Sequence, residues 1–181
     1  MSSDQSPFTL LQNLAAQVSD NAAPMPDRSK QADSWQAIAF EFMRTSFAIP
    51  MRDVKEVLPT PGVTRLPGVQ KWVKGIANVR GEILALIDLN DFVSAGRASN
   101  PTLSRVVAVE KNGMHFGIIV DRVIGMRQIN QTQIKEGAAS DCPPEMKEYV
   151  LESIKLDDEQ INLLDPIKLI ESDTFAQVST L

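Results

Sequence analysis

Two side chains of this sequence belong to types that often act in catalysis, and each occurs once: His115 is the only histidine and Cys142 the only cysteine. Serine–histidine–aspartate and cysteine–histidine mechanisms would both depend on His115. Because Met114 and Phe116 flank it in an alternating apolar segment, the pattern predicts a strand histidine that points away from the core into solvent. One histidine and one cysteine also exclude the usual zinc sites. We therefore expect neither catalysis through this histidine nor a bound metal.

Carboxylates are the other source of catalytic groups. The acidic run of Asp157, Asp158 and Glu159 lies where a hairpin turn is expected, and charged turns are ordinary. The hypothesis of a carboxylate-dependent enzyme is therefore supported only by the general content of acidic residues. The glycine spacings match neither the dinucleotide-binding fingerprint nor the P-loop, so no cofactor is expected. The sequence favours a binding protein over an enzyme.

The most informative stretch is GIANVRGEILALIDL, residues 75–89. Two apolar segments flank Arg80-Gly81, which predicts a strand, a tight turn and a second strand, with Arg80 displayed at the turn. The unbroken apolar run from Ile83 to Ile87 predicts a strand covered on both faces. Arginine is enriched in the cores of protein interfaces. Glu56, on the extended segment that begins at Val54, is expected to lie beside Arg80 as its ion-pair partner.

A local group of positive charges surrounds this stretch, since every charge between Glu56 and Glu82 is positive. Such a patch could bind an acidic partner, or it could be an ordinary solvated loop face. The net charge of −5 argues against nucleic acid as the dominant partner. A nucleic-acid-binding small-barrel module nevertheless remains the alternative, because small barrels often serve that role and four cations cluster in sequence. These cations are Arg65, Lys71, Lys74 and Arg80.

The remaining totals describe an ordinary globular chain of 181 residues, 43% hydrophobic and 23% charged. No apolar run approaches the roughly 18 residues of a membrane span. The first residues, MSSDQSPF, lack the basic region and apolar core of a signal peptide. A lone cysteine cannot form an internal disulfide, which suits a reducing compartment. We expect a cytoplasmic protein.

Residues 1–34 are predicted to form an N-terminal amphipathic helix and a flexible linker. Ser6-Pro7 has the types of an N-cap and a first helical residue, and apolar residues follow at helical spacing. Residues 20–33 contain two prolines and no periodicity, which is linker composition. The globular part is expected over residues 35–171, and residues 172–181 would be the end of a C-terminal helix or a tail.

The globular part contains an internal repeat. The first set of matching positions is Phe47, Ile49 and Val54 with Phe116, Ile118 and Val123. The second is Leu84, Leu86, Ile87 and Asp88 with Ile161, Leu163, Leu164 and Asp165. Many short strands and few helices predict a mainly β fold of two small antiparallel barrels packed side by side. We place them at about residues 35–100 and 101–171, with a binding groove at their interface.

Three segments in this order resemble the CheW family of chemotaxis coupling proteins: FAIPMRDVKEVLP, VTRLPGVQKWVKGIANVRGEILALIDL and HFGIIVDRVIGM. The resemblance covers about residues 36–171. Its most specific motif is met by Gly75, Asn78, Val79, Arg80, Gly81, Asp88 and Leu89. Ala85 departs from the family, where many members carry proline. The N-terminal PFTLLQNLAAQ and its linker resemble the leader of PilI-type members, which belong to type IV pilus chemosensory systems.

The resemblance implies a non-enzymatic adaptor built of two SH3-like, five-stranded barrels. Such an adaptor bridges the cytoplasmic tip of a methyl-accepting receptor and the regulatory domain of a CheA-type histidine kinase, at the inner face of the membrane through receptor arrays. For a PilI-like member, the output would be twitching motility. A receptor tip is a helical hairpin and would lie in an apolar groove, while the kinase would use the open end of a barrel. The family's partner contacts fall on Val54, Glu56, Asn78, Val79 and Arg80.

Overall fold

The computed structural model of the protein describes residues 34–93, 102–156 and 159–179. The predicted N-terminal helix and linker, apart from Ser34, lie outside the described residues. So do Asp157 and Asp158 of the predicted acidic turn. A compact unit begins at Ser34.

The described part of the chain is mainly β, as predicted. Its strands are β1 (Ser34–Phe42), β2 (Thr45–Pro50), β3 (Val54–Pro59), β4 (Val73–Val79), β5 (Glu82–Asp88), β6 (Arg105–Lys111), β7 (Met114–Val120), β8 (Arg122–Asn130), β9 (Ile134–Glu136), β10 (Val150–Leu156) and β11 (Glu159–Leu164). Its α-helices are short: α1 (Leu89–Phe92), α2 (Pro166–Ile170) and α3 (Asp173–Ala176). Single 3₁₀ segments lie at Met51–Asp53, Gln131–Gln133 and Pro144–Tyr149. Among these described elements, no helix is long and apolar enough to cross a membrane.

The strands form two sheets, one of five strands in the order β3-β6-β7-β5-β4 and one of six in the order β8-β1-β2-β11-β10-β9. Most neighbours are antiparallel, but β5 pairs with β7 and β2 pairs with β11 in parallel. The expectation of antiparallel five-stranded units therefore holds except for one parallel pair in each sheet and the extra edge strand β9.

The sheets do not divide the chain at residue 100, where the sequence analysis placed the boundary between the two barrels. The five-stranded sheet uses the continuous stretch 54–120, and the six-stranded sheet uses residues 34–50 and 122–164. The chain leaves the six-stranded sheet through the 3₁₀ turn Met51–Asp53 and returns after Asp121. Each half of the repeat thus contributes its first hairpin, β1–β2 or β6–β7, to the sheet of the other half. Local sequence patterns predict hairpins but not which sheet a hairpin joins.

The internal repeat is confirmed, and it extends to irregularities of the backbone. The ladder of β3 with β6 skips Lys55, and the ladder of β8 with β1 skips Ile124 at the matching position. The ladder of β4 with β5 skips Lys74, and that of β10 with β11 skips Leu151. Each skipped residue is the extra residue of a β-bulge, which bends and twists the strand locally.

A single apolar core lies between the two sheets, because the largest cluster of buried side chains draws on both. Its largest members include Phe40, Phe42, Phe47, Trp72, Ile118 and Met146. Each sheet also encloses a smaller cluster of its own, around Leu84 and Leu86 in one and Ile154 and Ile161 in the other. Strands such as β5 and β7 are therefore covered on both faces over most of their length. Ile83 is the exception on β5, since 61% of it is exposed beside the turn.

The C-terminal residues pack against the loop that precedes β4. Phe175 of α3 contacts Trp72, with ring centroids 5.0 Å apart. The amide of Gln70 donates to the carbonyl oxygen of Val178 at 2.9 Å, and Ser179 forms a β-bridge with Val69. This part of the predicted tail, residues 172–179, is thus attached to the five-stranded sheet.

Candidate partner-binding surface

A two-residue turn, Arg80-Gly81, joins β4 to β5, as the sequence predicted. Both residues have positive φ angles, 52° for Arg80 and 91° for Gly81. Glycine adopts this left-handed conformation easily and arginine does not. The amide of Gly81 donates to Oδ1 of Asn78 at 2.9 Å, and this hydrogen bond helps to hold the turn. The turn displays Arg80 at the end of the hairpin.

Arg80 is paired with Glu56, as the sequence analysis predicted. Arg80 Nη2 lies 3.1 Å from Glu56 Oε2; the arginine side chain is 82% exposed and the glutamate side chain 20%. The strands concerned, β3 and β4, stand at opposite edges of the five-stranded sheet. The contact therefore shows that this sheet curls until its edges approach, which is the barrel shape expected. A half-buried carboxylate thus orients an exposed guanidinium.

The other predicted site residues lie around this pair in different environments. Asn78 is exposed, and its side chain is used by the turn. Val79 is half-buried and packs on the core inside the five-stranded sheet, whereas Val54 packs on the core between the sheets. The structure thus brings Glu56 and Arg80 together and gives the two valines packing roles.

A second charged network lies next to the pair. Lys55 Nζ is 2.7 Å from Glu82 Oε2 and 3.1 Å from Glu110 Oε2. Hydrogen bonds to Glu82 and then Glu110 raise the pKa of the Lys55 ammonium above its ordinary value. The hydrogen bond from Lys55 lowers the pKa of the Glu82 carboxyl. Both groups are therefore charged around neutral pH.

His115 joins this network and is not the solvated histidine that the alternation predicted. Its side chain is only 22% exposed, and Nδ1 lies 3.4 Å from Glu82 Oε2. Its Nε2 is buried without a hydrogen-bond partner among the described residues. The reason is that β7 lies in the middle of the sheet, between β6 and β5, so even its outward side chains are partly covered. No nucleophile accompanies this imidazole in the contacts of the described chain.

Cys142 offers no nucleophile either. It is buried, and burial together with the nearby Asp141 raises the pKa of its thiol to about 11. The thiolate, which is the reactive form, is therefore scarce at neutral pH. Over residues 34–93, 102–156 and 159–179, no group of three histidine, cysteine or acidic side chains could hold a metal ion.

Three of the four clustered cations form ion pairs within the protein. Arg80 pairs with Glu56, Lys71 Nζ lies 3.0 Å from Asp91 Oδ1, and Lys74 contacts both Asp91 and, at 3.4 Å, Asp88. Burial alone would raise the pKa of the Asp91 carboxyl, but hydrogen bonds from Lys74 and Lys71 outweigh it and lower that pKa. The fourth cation, Arg65, is exposed. The positive patch on which the nucleic-acid alternative rested is therefore largely balanced by carboxylates.

An open cavity of about 320 Å³ lies where the two sheets meet. The end of β3 and the first residues of β6 and β8 line it: Val57, Leu58, Pro59, Leu103, Arg105, Arg122 and Val123. Arg122 is held by Glu41 at 2.7 Å, and the Arg105 guanidinium donates to carbonyl oxygens of the preceding residues. The floor is thus apolar, with two arginines at its margin.

This cavity is the open part of the predicted groove, since the rest of the interface is filled by the shared core. Sequence reasoning predicted the groove but not the residues that line it. The available signal in the sequence was Val57-Leu58, two consecutive apolar residues at the end of a strand, of which one must face outward. Strand β3 connects the two features, because Glu56 binds Arg80 and the next residue, Val57, lines the cavity.

Two sheets around a shared core, an exposed arginine braced from an edge strand and an apolar cavity are features suited to a protein–protein binding surface rather than to an enzyme site. A family model described as the CheW-like domain matches residues 36–174, and the chain belongs to this family. Members of the family are non-enzymatic scaffolds of chemotaxis-type signalling, so the expectation of an adaptor rather than an enzyme is confirmed.

Individual relatives agree with this assignment. The chain is 40% identical to the protein PilI of Pseudomonas aeruginosa over 127 residues, which is 70% of this chain and 71% of PilI. It is 26% identical to the chemotaxis protein CheW of Thermotoga maritima over 140 residues, 77% of this chain and 90% of that protein. The crystal structure of the scaffolding protein TtCheW from Thermoanaerobacter tengcongensis matches with a TM-score of 0.69 and 26% identity, over 77% of this chain and 94% of TtCheW. The predicted fold of two SH3-like β units is confirmed by this match.

Proposed function

We propose that this protein couples a methyl-accepting chemoreceptor to a CheA-type histidine kinase by binding both, and that the system controls type IV pilus twitching motility. Membership of the CheW-like family supports the coupling role. The 40% identity with PilI supports the pilus system. Localisation then follows from the partners: the adaptor works at the inner face of the membrane, where the receptor tips assemble.

The observation that carries the receptor half of this proposal is the continuity of the Glu56–Arg80 pair with the cavity between the sheets. A receptor tip is a helical hairpin, and helices bind partners by laying apolar side chains into a groove while polar contacts fix the register. The cavity offers apolar side chains from Val57 to Pro59, and Glu56, the residue before Val57 on the same strand, orients the exposed guanidinium of Arg80, which offers hydrogen-bond donors.

The kinase half rests on the open end of the five-stranded barrel. Ile83 is largely exposed there, on the strand that follows the Arg80 turn. Exposed apolar side chains at the end of a small barrel are suited to pair with a similar surface on a regulatory domain. Ile83 is therefore proposed as a kinase contact, in addition to the receptor and kinase contacts proposed at Val54, Glu56, Asn78, Val79 and Arg80.

The substitution Arg80→Ala tests the proposed surface. Truncation of an interface anchor commonly costs about 2 kcal/mol, or about thirtyfold in affinity. We expect that loss in calorimetric titrations with a receptor-tip hairpin or a kinase regulatory domain from the same cell, with an unchanged unfolding temperature because the side chain is exposed.

Arg65→Ala is the matched control, since it also removes an exposed arginine, one that lies in the connection between β3 and β4, and should leave both affinities unchanged. Wild-type affinity of Arg80→Ala for both partners would exclude Arg80 as an anchor. The coupling role itself is tested by co-purification from the native cell: recovery of neither a receptor nor a kinase would overturn it.

A further inference from the structure

A second ion pair joins β3 to the Arg80 hairpin with reversed polarity. Lys55 binds Glu82, the first residue of β5, while its neighbour Glu56 binds Arg80. Consecutive residues of a regular strand point to opposite faces. Lys55, however, is the extra residue of the bulge in β3, and a bulge re-aims the side chains around it. The bulged strand therefore contacts the hairpin through two ion pairs of opposite polarity, Lys55 with Glu82 and Glu56 with Arg80.

Backbone pairing does not attach β3 to this hairpin. Strands β6 and β7 separate β3 from β5 in the sheet, and β4 forms the opposite edge. The position of the turn relative to β3 thus depends on side chains at this end of the barrel. Lys55 and Glu56 are the members of β3 that form ion pairs with the hairpin.

The other half of the repeat shows which part of this network the fold itself requires. Glu159 corresponds to Glu82, and it accepts a hydrogen bond from Ser46, the counterpart of His115. The bulge is present too, but Ile124 occupies it instead of a lysine. The glutamate and the bulge are therefore shared features of the fold, whereas the cation at the bulge is found only beside the arginine turn.

We propose that Lys55 is a positioning residue for the partner-binding turn. With Glu82 it fixes the hairpin against β3, so that Arg80 stays paired with Glu56 in the orientation that a partner meets. The positioning is a property of the free protein, and only its consequence for affinity rests on the proposed function. The raised pKa of Lys55 keeps the ammonium charged over the working pH range.

The positioning is tested by NMR on the full-length protein, with the Nε–Hε signal of Arg80 and the exchange rate of the Gly81 amide as readouts. Lys55→Ile places at this bulge the residue type found at the matching bulge, so folding is expected to survive. We expect this variant and Glu82→Gln to shift the Arg80 signal and to speed amide exchange about two- to fivefold, the range for a surface ion pair. Lys55→Arg should retain both wild-type readouts.

Glu110→Gln is the matched control, because it removes the other carboxylate on Lys55 without changing the hairpin. Unchanged readouts in Lys55→Ile, or an equal effect of Glu110→Gln, would overturn the positioning role.

Affinity for the receptor-tip hairpin separates this inference from the proposed function. Lys55→Ile should bind about two- to fivefold more weakly, less than the loss for Arg80→Ala. If Arg80→Ala binds normally while Lys55→Ile shifts the Arg80 signal, the proposed surface fails and the positioning stands. If Arg80→Ala weakens binding and Lys55→Ile changes neither readout nor affinity, the surface stands and the positioning fails.

Discussion

The bulged positions of the five-stranded sheet hold Lys55 and Lys74, whereas the matching positions of the six-stranded sheet hold Ile124 and Leu151. Both lysines form ion pairs with neighbouring carboxylates. Leu151, in contrast, is 47% exposed to solvent. The backbone makes the same distortion with a cation or an apolar side chain at its centre. The bulges therefore belong to the fold, and the side chains on them are free to differ between the halves.

The candidate binding residues differ in the same way. Glu56 corresponds in the repeat to Gly125, which has no side chain to hold an arginine. The six-stranded sheet therefore cannot build the same ion pair at the matching place. The two halves thus share their backbone geometry, but the candidate binding site described above lies in one of them.

The largest expected difference between the halves is at Gly75, whose counterpart is Glu152. Gly75 has a φ of +132°, and an added Cβ would lie 2.1 Å from the carbonyl oxygen of Thr64, which bridges to β4. Gly75→Ala should lower the free energy of unfolding by about 3 kcal/mol or more, from backbone strain and the clash together. Urea denaturation measures it. Glu152→Ala and Gly62→Ala, the latter in open space, should each cost less than about 1 kcal/mol; equal losses in all three would contradict the difference.

A smaller effect is expected at the two matching helix caps. The Asp88 carboxylate accepts a hydrogen bond from the Asn90 amide at 3.0 Å, and Asp165 does the same for Ile167. Each alanine substitution should cost about 1–2 kcal/mol. Asp88→Ala should cost more, because Asp88 is more buried and lies closer to its lysine than Asp165 does. Asparagine at either position keeps an acceptor and should recover most of the loss; identical effects at the two caps would remove this difference.

The side chains at one pair of matching bulges, Lys74 and Leu151, can be exchanged to test whether the bulges tolerate either residue type. Lys74→Leu leaves Asp91, whose side chain is only 13% exposed, with the largely exposed Lys71 as its remaining partner, and should cost about 1 kcal/mol. Leu151→Lys should be neutral within about 0.5 kcal/mol, since its side chain is already in solvent. Chemical denaturation of both variants measures the two values. A loss for Leu151→Lys as large as that for Lys74→Leu would show that the bulges themselves demand particular side chains.

The smallest effect is a difference in pH dependence. The pKa of Asp91 in the folded protein lies below its ordinary value of 3.8, so the folded state binds this proton less readily than the unfolded state. The stability from the lysine contacts is therefore present above that ordinary value and is lost as the pH falls through the lower folded pKa. Between about pH 5 and pH 3, wild type should lose more unfolding free energy than Lys74→Leu does. Parallel curves for the two proteins would contradict the pairing of Lys74 with Asp91.

Much of the candidate site could be predicted because its signals are local. The Arg80-Gly81 turn follows from two apolar runs, and the ion pair with Glu56 was inferred from where these residues fall in the chain. The burial of His115 could not be predicted, since it depends on the strands on either side of β7. The bulges were equally hidden, because an extra residue such as Lys74 shows only in the pairing of its strand with the neighbouring strand, which the local sequence does not specify.

The exchange of hairpins was beyond local reasoning for a related reason. The repeat predicts two similar units, and a hairpin such as β1–β2 satisfies its own hydrogen bonds whichever unit it joins. The choice is made by pairing with distant strands: β1 pairs with β8, and β2 pairs in parallel with β11, whose residues are more than a hundred positions away. Nothing in either segment alone specifies that partner.

The pairing of β2 with β11 also implies an order in which the two sheets fold during synthesis on the ribosome. The strands of the five-stranded sheet are complete once residue 120 has emerged, and they can then close around their own small core. The six-stranded sheet must wait for β11, so its first hairpin is made early, pairs with β8 once residue 130 has emerged and lacks its second sheet partner until residue 164. Because domains tend to fold as they emerge, the Arg80-Gly81 turn would be formed first, and a truncated chain would expose Phe40 and Phe47 and be prone to aggregate.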